Sequence, residues 1–262
     1  MIPYLYFPVV SLGFFTIHTW GFFVAIGAAA ALVVARHWTR RLSLDAAVLL
    51  NLSAILLMGG FIGARLFHVF FYAWPYYRLH PEEIVAIWQG GLSSFGGFIG
   101  AALVAWLYLR HRKLPLLPYA DLTLSVLPLG MGIGRVGCFI NNHHPGQRSS
   151  SWLAVAFPDG PRLDMGLIEA VFLFTLFGVL TLLARRSRPP GFYVSFVAIA
   201  YGVVRFSLDF YRAADIPLAD VRYFQLTPAQ YGSIALLFLG MFTAYMASRQ
   251  NSRRVVAYHG YA

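Results

Sequence analysis

Three arginines, Arg65, Arg135 and Arg205, lie inside apolar stretches long enough to cross a bilayer. A guanidinium keeps its proton at physiological pH, and its burial at mid-bilayer costs about 3 to more than 10 kcal/mol depending on the reference state. Its planar fork matches a phosphate through two parallel hydrogen bonds. The chemistry indicated is capture of an anionic lipid head group. Each arginine also has a structural alternative: pairing with a carboxylate, bonding to helix-terminal carbonyls, or snorkelling to the interface.

Other reactive residue types cluster around these arginines. Tyr201, Arg205, Asp209 and Arg212 follow at intervals of four, four and three, which stacks them on one helical face and puts Asp209 in reach of Arg205. The run from Gly130 to Asn142 contains a formal G-x-G-x-x-G at Gly132, Gly134 and Gly137. A dinucleotide site would need that motif at a strand-to-helix turn, and here it falls inside an apolar span. Gly137 and its neighbours instead allow close backbone approach or leave room for a head group. Asn141 and Asn142 can bond a glycerol hydroxyl or cap the span. A second glycine run, Gly90 to Gly100 with Ser94 inside it, reads as helix packing. His18, His68, His143 and His144 are the candidate general bases at neutral pH. Glu169 and Asp121 are further acids, Asp121 reading as an interfacial cap. The one cysteine, Cys138, excludes an intrachain disulfide framework, and no spacing of His and acids marks a metal site or implies a cofactor.

The elements that must carry these residues follow from composition. With 59% hydrophobic and 11% charged residues over 262 positions, the chain lacks the polar surface of a soluble globule. Apolar runs predict an all-α integral membrane protein, one domain over 1–262, with spans near 14–35, 46–73, 88–109, 119–141, 166–184, 191–211 and 229–247. The N-terminus lacks the basic region of a cleaved signal, so the first span is expected to be retained.

Basic residues set the orientation. Loops after the odd-numbered spans, with the tail at 248–262, carry Arg36, Arg40, Arg41, Arg110, Arg112, Lys113, Arg185, Arg186, Arg188, Arg249, Arg253 and Arg254. The other side carries Arg78, Arg148, Arg162, Arg212 and Arg222, including those in the expected outer loop 142–165. Twelve against five predicts seven transmembrane helices with the N-terminus outside and a basic cytoplasmic tail. The net charge of +10 is thus a topology signal and does not point to nucleic acid. In this orientation Arg65, Arg135 and Arg205 all fall roughly 10 Å below the outer ends of their spans at 1.5 Å per residue, within reach of an outer-leaflet phosphate.

These residues resemble the prolipoprotein diacylglyceryl transferases, integral enzymes of the bacterial cytoplasmic membrane. The likeness runs in order through His18-Thr19-Trp20-Gly21, Gly63-Ala64-Arg65-Leu66, Gly90-Gly91-Leu92-Ser93, Gly134-Arg135-Val136-Gly137-Cys138-Phe139-Ile140-Asn141 and Tyr201-Gly202-Val203-Val204-Arg205 to Asp209. It implies seven spans and transfer of diacylglyceryl from phosphatidylglycerol to the lipobox cysteine thiol of a lipoprotein precursor, with loss of glycerol phosphate. It implies catalytic roles for Arg135, Arg205 and Tyr201, and His143 is added to that set as a replacement base, with His144 as the alternative. The substrate-binding set is Arg65, Arg135, Arg205, Asn141, Gly137, Asp209, His18 and Ser94. The chain departs from the family pattern where its histidine is Phe95, the asparagine after Gly-Arg-x-Gly is Cys138, the acid of Asn-Gly-Glu is His143, a tyrosine after His18 is Trp20, the acid after Arg205 is shortened to Asp209, and a His-Pro-x-Gln-Leu-Tyr-Glu run survives only as Leu167-Ile168-Glu169. The alternatives are a paralogue serving another acceptor and a phospholipid-binding protein without catalysis.

Overall fold

The computed structural model describes residues 1–12, 15–86, 90–216 and 221–259. Of the expected tail, residues past His259 and side chains past Arg249 lie outside the described residues. Strands β1 (Val9–Leu12) and β2 (Phe15–His18) precede the long helix α1 (Thr19–Leu42). Next come α2 (Ala46–Phe67), extended by a π-turn at His68–Tyr72, and the short α3 (Trp74–Tyr77). Helices α4 (Ser94–His111) and α5 (Leu116–Ile140) lead to β3 (Pro145–Arg148), β4 (Val155–Phe157) and β5 (Gly160–Asp164). Helices α6 (Met165–Leu183), α7 (Phe192–Leu208) and α8 (Pro228–His259) complete the chain. Six of the helical stretches, Thr19–Arg40, Ala46–Tyr72, Leu116–Ile140, Met165–Leu183, Phe192–Tyr211 and Pro228–Arg249, are long and apolar enough to cross a membrane.

Three expectations need correction. The first span was placed at 14–35, whereas its helix starts at Thr19 and continues to Leu42. Residues 15–18, with β-branched Thr16 and Ile17, pair antiparallel with Val9–Leu12 instead. The third span was placed from 88, but α4 starts only at Ser94. Gly90 and Gly91 are left-handed, with φ of 86° and 73°, and the Ser93 hydroxyl then caps the helix by accepting from Gly96 N–H at 3.4 Å. The segment 142–165, read as a loop, holds a three-stranded antiparallel sheet in the order β3-β5-β4. A search for apolar runs of about 20 residues is blind to strands this short.

The chain divides into two compact units, Met1–Ala35 with Ala120–Ala262, and Arg36–Tyr119. In the second, α2 and α4 meet along a seam of glycines. A methyl group on Gly63 would run into the Gly96 carbonyl and come within 2.8 Å of Gly100 Cα; Gly96 and Gly100 are blocked in turn by the carbonyls of Gly63 and Gly59. Glycines four apart on both helices therefore let the backbones touch, as in transmembrane small-residue packing. This unit also buries Arg65, 3% exposed, whose guanidinium is held by carbonyls of the loop before α4. Nε donates to Ile84 O at 2.8 Å, Nη1 to Gly90 O and Gly91 O at 2.5 and 3.1 Å, and Nη2 to Glu83 O and Ala86 O at 2.7 and 3.3 Å. A side chain at Gly91 would fall 2.7 Å from the His68 ring and 3.0 Å from Arg65 Nη1, so this glycine admits the guanidinium.

In the first unit, α5 presents its glycines to α1 and α6. Gly130 lies against Gly27, Gly137 against Phe23 and Trp20, and Gly132 against the Phe174 ring. The formal nucleotide motif is thus helix-packing surface within one continuous helix. Asp121 of α5 caps a neighbour: its carboxylate accepts Gly191 N–H at 2.6 Å and Val194 N–H at 2.8 Å at the start of α7. At the other end, Arg162 of β5 is 2% exposed and forks onto both oxygens of Asp215 at 2.8 Å while Nε reaches Asp159 at 2.8 Å. That bidentate pair ties the segment after α7 to the sheet.

The seam makes a direct expectation. Gly63→Ala should lower the unfolding temperature of the detergent-solubilised protein, with overpacking of about 1–3 kcal/mol. Gly60→Ala, whose methyl would sit 3.6 Å from the Gly97 carbonyl, should leave it nearly unchanged.

Candidate functional site

Glu169 is the centre of the polar cluster in the first unit. It projects from the second turn of α6 and is 1% exposed. Its Oε1 accepts the Tyr201 hydroxyl at 2.7 Å and pairs with Arg135 Nη2 at 3.0 Å, while Oε2 accepts from Arg205 Nη1 at 3.1 Å. One carboxylate from α6 thereby joins an arginine from α5 to an arginine and a tyrosine from α7. The second arm of Arg205 pairs with Asp209 Oδ1 at 2.9 Å, the i,i+4 pairing expected from sequence.

Asp209 is fully buried and is held from α8. Its Oδ2 accepts the Thr227 hydroxyl; Thr227 N–H donates to Gln230 Oε1 at 2.9 Å, and Gln230 Nε2 donates to Phe206 O at 3.2 Å. These bonds anchor the last turn of α7, where Arg205 stands, on the first turn of α8. The carboxylates are sealed, yet the Arg135 and Arg205 side chains keep 19% and 12% of their surface exposed. The cations, and not the anions, face the accessible space.

Arg212 and His144 extend the cluster beyond the helices, with Arg212 Nη2 3.4 Å from His144 Nδ1. Burial, reinforced by the charges of Arg135, Arg212 and Arg205, pushes the His144 imidazole down to about 2. It is neutral at physiological pH, and a lone pair on Nδ1 can accept from Arg212. The His143 ring lies 6.3 Å from that of His144, and partial burial holds it below its ordinary value. Arg212 brings a third guanidinium to the edge of the cluster.

Asp164, at the junction of β5 and α6, is 1% exposed. Its Oδ1 caps α6 by accepting Leu167 N–H at 2.8 Å, and its Oδ2 has no hydrogen-bond partner among the described residues. Burial pushes its carboxyl up to about 7, against the Leu167 and Gly166 N–H groups and the Arg135 charge. Cys138 is buried beside the Arg135 guanidinium and the Trp20 indole.

Of the residues singled out in the sequence, Arg135, Arg205, Tyr201 and Asp209 come together through Glu169. Gly137 lets the first turn of α1 approach α5, where an added methyl would meet Phe23 Cβ at 2.8 Å. Asn141 is buried at the end of α5, its carbonyl unpartnered among the described residues. It lines a cavity of about 410 Å³ with Tyr4, Tyr6, Phe157 and Arg162. His18 is exposed at the end of β2. Arg65 and Ser94 belong to the other unit, where Ser94 is exposed in the first turn of α4 and Arg65 is occupied as described. Sequence reading registered Glu169 as a further acid and as the end of a shortened family run, gave it no role, and did not reach Thr227 or Gln230. Its partners Tyr201 and Arg205 lie 32 and 36 residues away, beyond any helical spacing.

The raised carboxyl of Asp164 has a pH signature. An acid whose folded value exceeds its unfolded one stabilises fully below the unfolded value of 3.8, and that contribution is lost as pH rises through about 7. Asp164→Asn keeps the capping oxygen and cannot ionise. Thermal unfolding should show it more stable than the parent at pH 8, with the gap narrowing as pH falls from 7 towards 4.

A family model described as prolipoprotein diacylglyceryl transferase matches residues 8–246. The phosphatidylglycerol--prolipoprotein diacylglyceryl transferase of Symbiobacterium thermophilum is 32% identical over 244 residues, covering 89% of this chain and 91% of its own. That of Chromohalobacter salexigens is 30% identical over 248 residues, 92% of each chain. That of Nitrosomonas europaea is 34% identical over 200 residues, 75% of this chain and 72% of its own.

Proposed function

Because this chain belongs to the prolipoprotein diacylglyceryl transferase family, we propose that the Arg135–Glu169–Arg205 cluster holds the phosphate of phosphatidylglycerol while its diacylglyceryl group passes to a thiol. The protein is a transferase whose donor is phosphatidylglycerol and whose acceptor is the lipobox cysteine of a lipoprotein precursor. The observation that carries the site assignment is the pair of partly exposed guanidiniums on one sealed carboxylate.

The reaction is alkyl transfer. The acceptor sulfur attacks the glyceryl carbon, a C–S bond forms, and the C–O bond to phosphate breaks, its electron pair leaving with glycerol phosphate. Negative charge on the phosphate grows as the bond breaks. Preset guanidiniums stabilise that charge more in the transition state than in the bound lipid. Tyr201 and Glu169 fix where the two forks stand, and Asp209 keeps Arg205 from swinging away. A free thiol has a pKa near 8.5, so a base must take its proton at neutral pH. His143 is assigned that role, because burial, reinforced by three neighbouring guanidiniums, makes His144 too weak a base. Asn141 is assigned to hydroxyls of the head group, with His18 at the edge of the lipid path. Arg65 is reassigned: its donors serve the carbonyls of its own unit, so its role is to hold the loop before α4.

We further propose seven spans, with α4 as the seventh. Its 18 residues rise about 27 Å, close to the hydrocarbon thickness, and Phe98, Ile99, Leu103, Trp106 and Leu107 are exposed along it. The arginine distribution supports an outward N-terminus, a cytoplasmic C-terminus and residence in the bacterial cytoplasmic membrane.

A second reading is favoured by Phe95, which cannot accept a proton where the family pattern has histidine. In it, the lipid site is kept and the acceptor is something other than a lipoprotein precursor. Growth of a transferase-depleted bacterium carrying this chain separates the two: rescue supports the precursor, and failure despite normal membrane levels supports another acceptor.

Arg135→Ala and Arg205→Ala should each lower transfer of radiolabelled diacylglyceryl by about 100-fold or more while the protein still inserts. Full transfer by either variant would end the phosphate assignment. His143→Gln should slow transfer at pH 7 by about 100-fold, with recovery as pH approaches the thiol's own pKa.

A further inference from the structure

An apolar groove lies at the opposite end of α7 from Arg205. Near the middle of the α7–α8 pair the backbones are close: a methyl on Gly240 would come within 3.1 Å of the Ser195 carbonyl, and one on Gly202 within 3.1 Å of the Ser233 carbonyl. Further along, Ala244, Ala247 and Ser248 of α8 are too small to fill the space facing Phe192, Phe196 and Ile199 of α7. The result is an open, nearly all-apolar groove of about 350 Å³.

Its mouth is basic. Pro189 closes one end, and the Arg188 guanidinium stacks 4.9 Å over the Phe192 ring that forms the groove wall. Arg249, next to the lining Ser248, stacks 4.7 Å over the Tyr245 ring, and exposed Arg185 and Arg186 precede Arg188. The nearby carboxylate, Asp121, is buried and accepts the Gly191 and Val194 N–H groups. An apolar slot ending in several exposed guanidiniums has the chemistry of an anionic phospholipid: acyl chain in the slot, phosphate on the fork.

We propose that this groove is a non-catalytic site retaining one anionic phospholipid. The proposal rests on the reading of α7 and α8 as membrane spans. Arg205 stands thirteen residues beyond Phe192, about 20 Å along the helix, so a head group at Arg188 is out of reach of the transfer cluster. The lipid here fills the gap that small residues leave at this end of the α7–α8 pair.

Native mass spectrometry of the full chain from nanodiscs of mixed phosphatidylglycerol and phosphatidylcholine tests this. The Arg205→Ala background removes donor turnover, so the result stands whether or not transfer is found. One phosphatidylglycerol should persist in that variant. Adding Arg188→Gln with Arg249→Gln, or separately Ala244→Phe to fill the slot, should cut its occupancy at least tenfold. In the wild-type background these substitutions should leave transfer at its parent rate. Equal retention of phosphatidylcholine, or phosphatidylglycerol occupancy unmoved by both kinds of variant, would overturn the proposal.

Discussion

Two guanidiniums and a phenol meeting on the carboxylate of Glu169 are the interaction on which the helical arrangement around the site depends. Inside apolar surroundings an unpaired guanidinium or carboxylate costs several kcal/mol, so Arg135, Arg205 and Glu169 are tolerable only together. Removing the glutamate would leave two like charges facing each other; removing one arginine would leave a carboxylate with half its bonds. The cluster thereby fixes the relative rotation of α5, α6 and α7. The two partly exposed forks present their remaining donors away from the sealed carboxylate.

The remainder of this unit keeps that arrangement in place from both sides. On one side, Asp121 of α5 takes up N–H groups at the start of α7, which sets where Arg205 falls along its own axis. On the other, Arg162 clasps Asp215, and the Thr227–Gln230 pair steadies Asp209. Gly27 and Gly130 let the backbones of α1 and α5 touch, and Gly137 makes room for the Phe23 side chain. Stability of this unit thus rests on buried charges that would destabilise the bundle if unpaired.

Among the departures from the family pattern, Phe95 has no group that accepts a proton, and Cys138 lacks the amide of an asparagine. Near the Arg135–Glu169–Arg205 cluster the chain carries titratable groups of its own: Asp164, buried, with an elevated carboxyl and one oxygen unpartnered among the described residues, and the neutral His144.

Composition alone determined the class of protein, since a chain this apolar with so few charges has no way to cover itself with polar surface in water. Hydropathy located the long helices but misplaced ends of α1, α4 and α8 by a turn or more, and the i,i+4 spacing of Arg205 and Asp209 determined that pair, because helix periodicity is a local property. Likewise, the residue motifs were enough to place the chain in its family. What only the tertiary structure decided depends on contacts between distant segments. Arg65, identical in type and similar in expected depth to Arg135, proved to be consumed by five carbonyl contacts from a loop whose path no periodicity encodes. Glu169, one acid among several, proved to be the joint between helices. The strands within 145–164 were too short to register as apolar runs. Charge and spacing reveal that a buried arginine must have a partner; which partner it has follows from the packing of the chain around it.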